Sequence, residues 1–259
     1  MKKIILISFC LCFFLNINSQ RKKSLKYDLD ASQLSGLKFR SVGPAFMSGR
    51  IADIVINPEN ENEWYVAVGS GGVWKTSNSG TTWSPIADDQ PFYSTGAITI
   101  DPHNSSKIWL GTGENVGGRH VGIGHGVYMS ENGGEKWNDM GLKSSEHISK
   151  IIVSPEDPNL VFVASQGPLW SPGGDRGLFR SINGGDDWEN VLNINEWTGV
   201  TDIVIDHNNP SILYAATWQR HRNVAAYIGG GPGTSIYKSV DNGKTWAEIK
   251  NGLPSSNLG

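Results

Sequence analysis

Short apolar runs recur along the chain at a fixed distance, each closed by a polar turn. Ile54 to Pro58 reads I-V-I-N-P, Ile98 to Pro102 I-T-I-D-P, Ile151 to Pro155 I-I-V-S-P and Ile203 to His207 I-V-I-D-H. A second apolar run follows each: Tyr65 to Val68, Trp109 to Thr112, Phe162 to Ser165 and Tyr214 to Thr217. Runs of this length with β-branched and aromatic residues, bounded by turn formers, predict strands, and no stretch of the mature chain carries a long helical period.

A third run ends in a constrained motif, present four times: Thr76 to Trp83 (T-S-N-S-G-T-T-W), Ser130 to Trp137, Ser181 to Trp188 and Ser239 to Trp246. Every copy has a hydroxyl residue seven before the Trp, Asn or Asp five before, Gly three before and an aromatic nine before (Trp74, Tyr128, Phe179, Tyr237). The hydroxyl and Asx side chains can bond backbone amides in a tight turn, and Gly accepts a positive φ. The aromatic and the Trp then stand on the two strands of a hairpin.

The Trp-to-Trp spacings are 54, 51 and 58. Four strands per repeat of about fifty residues describe the blades of an all-β propeller. The predicted blades are 51–87, 95–141, 148–192 and 200–250. From each motif Trp to the central residue of the next first strand the step is 15, 14 and 15, and counting back 15 from Ile54 lands on Phe39. Residues 37–42 are therefore expected to be an outer strand of a closing blade. Its missing partners predict that 37–259 belongs to a larger propeller whose remaining blades come from a continuation of the chain.

The first residues change the picture of where the protein works. Lys2 and Lys3 precede an apolar run from Ile4 to Leu15, the pattern of a secretory signal peptide over residues 1–19, with 20–36 as a linker. Secretion to the periplasm or cell surface of a bacterium is the expectation, with no membrane insertion after signal removal. Both cysteines, Cys10 and Cys12, fall in the signal, so the mature chain has no thiol chemistry. Net charge is −3, and −5 once the signal's two lysines are gone, which recommends no nucleic-acid partner.

Candidate chemistry lies in the loops opposite the motif turns. From second-strand to third-strand aromatic the first blade needs 9 residues, the later ones 19, 17 and 23. Arg119, His120, Trp170, Arg176, Arg220, His221 and Arg222 fall in these three insertions, and Trp197 in an inter-blade loop. Arg binds carboxylates or phosphates bidentately and aromatic rings stack on sugars or peptides, so these eight are the expected ligand contacts. The competing account is a set of loops that merely cap the channel. His120 and His125 with Glu114 do not form a recognised metal pattern, and neither a metal nor a cofactor is expected. Glu114, Glu146, Asp175 and Glu196 are candidates for a hydrolytic carboxylate pair, which needs a separation of about 5–10 Å.

The four motifs resemble the Asp-box, or BNR-repeat, superfamily of propellers, which includes sialidases, xyloglucanases, sortilin-type receptors and a photosystem assembly factor. The phrases G-P-A-F-M-S-G-R (43–50), G-T-G-E-N-V-G-G-R-H (111–120) and T-W-Q-R-H-R (217–222) are similar to secreted bacterial proteins with a sortilin-like N-terminal region, often labelled glycosyl hydrolases. The resemblance implies either a module that binds a peptide, protein or glycan, or a glycoside hydrolase. F-R-S-V-G-P (39–44) resembles the sialidase F-R-I-P, with no matching nucleophile pair. The xyloglucanase stretch Y-A-R-T-D-I-G-G, whose Asp is catalytic, corresponds to Tyr65–Gly72, with Gly69 at that Asp. The binding module is the preferred expectation.

Overall fold

The computed structural model describes Gly36 and residues 50–254. The expected signal peptide, almost all of the linker and the outer strand 37–42 lie outside the described residues. Within them every element is a strand, seventeen in all.

Four antiparallel sheets follow one another along the chain. Blade 1 is β1 (Ile51–Ile56), β2 (Trp64–Val68), β3 (Gly72–Thr76) and β4 (Ser84–Pro85); blade 2 is β5 (Thr95–Asp101), β6 (Asn104–Thr112), β7 (Val127–Ser130) and β8 (Asn138–Asp139). Blade 3 is β9 (Ile148–Val153), β10 (Val161–Ser165), β11 (Gly177–Ser181) and β12 (Glu189–Leu192); blade 4 is β13 (Thr198–Ile205), β14 (Leu213–Arg222), β16 (Ile236–Ser239) and β17 (Ala247–Glu248). In each sheet the strands pair in sequence order, and β15 (Tyr227–Gly229) adds a hairpin to β14. Neighbouring blades meet in the order β1, β5, β9, β13, the succession of first strands expected around a propeller axis. The fourth strands shrink to two residues in three blades, and Pro85 sits in one of them, which an outer edge tolerates because no further strand needs its missing N–H.

The motif turns do what their residues dictate. Ser181 Oγ accepts from Gly185 N (2.8 Å) and donates to Asn183 Oδ1 (2.8 Å), which accepts from Asp187 N (3.0 Å). Blades 1, 2 and 4 repeat the bonds through Thr76–Asn78, Ser130–Asn132 and Ser239–Asp241. Each turn therefore satisfies its own amides, leaving the aromatics free to pack.

Apolar side chains are buried between blades. Tyr65, Ala67 and Val73 of blade 1 pack with Ile98, Leu110 and Trp137 of blade 2. Trp109, Val127 and Met129 join Ile151, Val163 and Phe179 of blade 3. Phe162 and Leu178 join Ile203, Leu213 and Ala215 of blade 4. Three cores thus serve four sheets. Polar threads run beside them: Ile98 N donates to Asp53 Oδ2 (3.1 Å), Thr99 Oγ1 to Ile151 O (2.8 Å) and Ser149 Oγ to Val200 O (3.0 Å).

Candidate functional site

Antiparallel pairing puts the second-to-third-strand loops and the inter-blade loops on one face, across each sheet from the motif turns. The long loops 113–126, 166–176 and 223–235 meet there, and arginines hold the junction. Arg176 is 3 % exposed. Its guanidinium donates to the carbonyls of Gln166 (2.7 Å), Ser171 (3.2 Å), Gly173 (3.3 Å), Trp197 (3.3 Å) and Pro168. Arg220 is fully buried and reaches Val116 O (3.3 Å) and Gly167 O (3.2 Å), and Arg222 reaches Gly117 O (3.1 Å). Blade 4 thereby grips the loops of blades 2 and 3. Backbone crowding makes the grip possible: a Cβ on Gly199 would fall 2.4 Å from Gln166 O.

The sequence placed Arg220, His221 and Arg222 in a loop, and the structure corrects this. They are the end of β14, continued past Thr217 and paired in register with Tyr227–Gly229. The cause is alternation. Successive side chains go to opposite faces, so Arg220 and Arg222 share one side of the ribbon while His221 takes the other and stacks on Trp197 at 4.1 Å. Arg222 lies 4.4 Å over the Tyr227 ring, and Arg220 5.6 Å over Trp218.

Among the described residues none of these three arginines has a carboxylate partner within ion-pair distance. Burial lowers Arg176 and Arg220 to about 10; Arg220 is lowered further by Arg176, and Glu146 opposes the shift at both. Burial, and then Arg220, pushes His147 down to about 3, so its imidazole is neutral and its 4.0 Å approach to Glu146 is no ion pair. Among the described residues, the Nε atoms of Arg220 and Arg222, His147 Nδ1, Gln166 Oε1 and Trp218 Nε1 are buried with no protein hydrogen-bond partner. Such a concentration of unpaired polar atoms is unusual in a protein interior.

The four acids separate sharply. Glu114 is 2 % exposed and sealed: Oε1 accepts from Arg50 Nε (3.0 Å), from Arg50 Nη2 and from Ser70 Oγ (3.3 Å), and Oε2 from Gly122 N (2.7 Å). Arg50 was missed from sequence; its only signal was the G-R preceding the first strand. Asp175 Oδ2 accepts from Ser144 N (2.8 Å), an inter-loop tie. Glu196 is exposed and offers its backbone carbonyl to Gly173 N (2.8 Å). Glu146 is half-buried, adopts φ 56°, and is the acid whose charge reaches Arg176 and Arg220.

Of the expected contacts, Arg119 and His120 are exposed, Trp170 is 43 % exposed and Trp197 half-buried. Two further rings, Tyr93 (67 %) and Tyr227 (39 %), join them on this face. Among the described residues no group of three or more His, Cys, Asp or Glu is placed to hold a metal. A polar cleft of ≈ 420 Å³ lined by Lys75, Asn78, Thr82 and Glu135 opens on the motif-turn face, away from these groups.

No family model matches the chain. It is similar to a xyloglucanase of Hypocrea jecorina, at 25 % identity over 236 residues, covering 78 % of this chain and 26 % of that protein. Xyloglucanase Xgh74A of Acetivibrio thermocellus is 23 % identical over 255 residues, covering 90 % and 28 %. The chain thus spans about a quarter of the length of the curated relatives it matches. Among solved structures, an ancestral GH74 enzyme superposes with TM-score 0.60 at 19 % identity, over 79 % of this chain and 26 % of the other. The Niastella koreensis GH74 enzyme gives 0.58 at 20 %, over 76 % and 30 %. The fold is that of a propeller, and the relatedness to GH74 xyloglucanases is distant.

Proposed function

We propose that this chain is a secreted Asp-box propeller arc that engages a polysaccharide of the xyloglucan kind on the face opposite its motif turns. The observation that carries the reading is the set of exposed rings, Tyr93, Trp170 and Tyr227, on this face, with the loop that carries Trp170 fixed by the buried Arg176 and Arg220. A rigid frame presenting aromatic faces suits a sugar chain, because the rings stack without paying ordering entropy on binding. Arg119 and His120 lie on the same face, free to bond hydroxyls. Similarity to xyloglucanases favours a glycan over a peptide or protein ligand.

The test is titration calorimetry of the full chain with xyloglucan oligosaccharides. Trp170→Ala and Tyr227→Ala should each weaken binding about five- to tenfold, since each lost stacking ring is of the order of 1–1.5 kcal/mol. Binding that is absent in the wild type, or untouched by both variants, overturns the reading.

Hydrolysis is the second reading, and Glu146 is the acid that favours it, as a half-buried carboxylate beside two cations and a neutral imidazole. Such a carboxylate can stabilise the positive charge developing at an anomeric carbon. Reducing-sugar release by the full chain, abolished by Glu146→Gln, would establish it; turnover that survives this change would remove Glu146 from the mechanism.

A further inference from the structure

The end of β14 carries two rows of side chains with opposite fates. Thr217, Gln219 and His221 make one row, and all three have partners. Thr217 Oγ1 donates to Gly233 O (2.7 Å), Gln219 Oε1 accepts from Gly233 N (3.0 Å) and His221 stacks on Trp197. Trp218, Arg220 and Arg222 make the other row, which strand alternation sets on the opposite face. Among the described residues, Trp218 Nε1, Arg220 Nε and Arg222 Nε are buried N–H donors with no protein acceptor. Indole and guanidinium nitrogens can only donate, so none of the three can satisfy another.

This second row lies against the blade 2 loop. Arg220 Nη1 donates to Val116 O (3.3 Å) and Arg222 Nη2 to Gly117 O (3.1 Å), and the Nε–H of each is left over. The groups form one cluster with Tyr227: Arg222 lies 4.4 Å from the Tyr227 ring centre, that ring 6.4 Å from Trp218, and Arg220 5.6 Å from Trp218. The space between ribbon and loop is narrow, since a Cβ on Gly117 would run into Tyr227 Oη and lie 3.1 Å from the Trp218 ring.

Charge points the same way as the hydrogen bonds. Glu146 is the acid whose charge reaches Arg220, and Arg176 shares it. Among the described residues Arg222 has no carboxylate within ion-pair distance. Cations taken out of water without a counter-charge are costly. Donors alone, two of them on cations, call for an acceptor that is itself negative. Water would bring hydrogens of its own and leave the charge uncancelled.

We propose that Trp218, Arg220 and Arg222 form a site for one small monoanion, of the size of chloride or formate, held between the β14 ribbon and the loop at Val116 and Gly117. The anion ties blade 2 to blade 4 and steadies the ribbon that presents Tyr227. The inference is independent of the polysaccharide reading, which requires no charge on the ligand.

Thermal unfolding of the full chain tests it, at one pH and one low ionic strength, with sodium gluconate replaced stepwise by sodium chloride. Gluconate is too bulky for the site. The midpoint should rise with chloride and then saturate, as binding to the folded state alone requires. Trp218→Phe keeps a ring and removes one donor, and should need about tenfold more chloride for half the rise, the value of one hydrogen bond to a charged group. Arg222→Gln should abolish the rise, while Arg119→Gln, at an exposed position on the same face, should leave it intact. In crystals grown with bromide, an anomalous peak should stand within hydrogen-bond reach of Arg220 Nε or Arg222 Nε. A midpoint that chloride does not raise overturns the proposal. So does a chloride response identical in Trp218→Phe and wild type, or bromide found only elsewhere.

Discussion

The carboxylate of Glu114 fills the space beside Gly69: a Cβ built on Gly69 would lie 2.6 Å from Glu114 Oε1. A residue of blade 1 has thus given up its side chain to one from blade 2, and Arg50 closes over the result. Gly69→Asp should therefore destabilise the fold by about 1–3 kcal/mol through overpacking and like charge. Glu114→Ala alone should cost about 1.5–3 kcal/mol, the loss of charge-assisted hydrogen bonds. The double variant should be more stable than the sum of the two, because Asp at 69 regains Arg50. Urea denaturation of all four proteins reads this coupling.

Arg220 and Arg119 should behave oppositely. Arg220→Ala strips the carbonyls of Val116 and Gly167 of their donor inside the protein, and a loss of about 2–4 kcal/mol in urea unfolding is expected. Arg119→Ala, at an exposed position, should leave unfolding within about 0.5 kcal/mol of wild type and show its effect only in glycan titration.

Below about pH 4, acid should loosen blade 4. The Asp241 carboxylate is held below its ordinary value of 3.8 by the Thr245 hydroxyl and amide and by Ser239. A depressed carboxylate contributes stability that is complete above its unfolded value and is lost as pH falls through its folded one. The other three turns carry Asn78, Asn132 and Asn183 at this position and do not titrate. Hydrogen exchange of the 239–246 amides should rise below about pH 4 in the wild type, and much less in Asp241→Asn.

His147 adds a second slope that begins at higher pH. Its folded value near 3 lies below its ordinary 6.5, so the unfolded chain binds the extra proton. Stability should fall steadily as pH drops from 6.5 towards 3 and level off below. His147→Gln should flatten the urea midpoint across that window.

The blades were legible because each rests on local rules. A turn of the kind Ser239 and Asp241 make is written in eight consecutive residues, and Ile98 or Ile203 declares its strand by its neighbours. The front face was less legible. Arg176 looked like a ligand contact because nothing in the chain shows five carbonyls converging on it. Arg50 and Glu114, 64 residues apart, meet only through the radial stacking of blades 1 and 2. The strand extension to Arg222 depends on a partner, Tyr227 to Gly229, too short and Gly-rich to announce itself.

Because the three apolar cores lie between sheets, no blade has an interior of its own. The smallest unit able to fold is then a neighbouring pair, and the chain should gain cooperativity with each blade added. Blades 2 and 3, each packed between two described neighbours, should hold slowly exchanging amides.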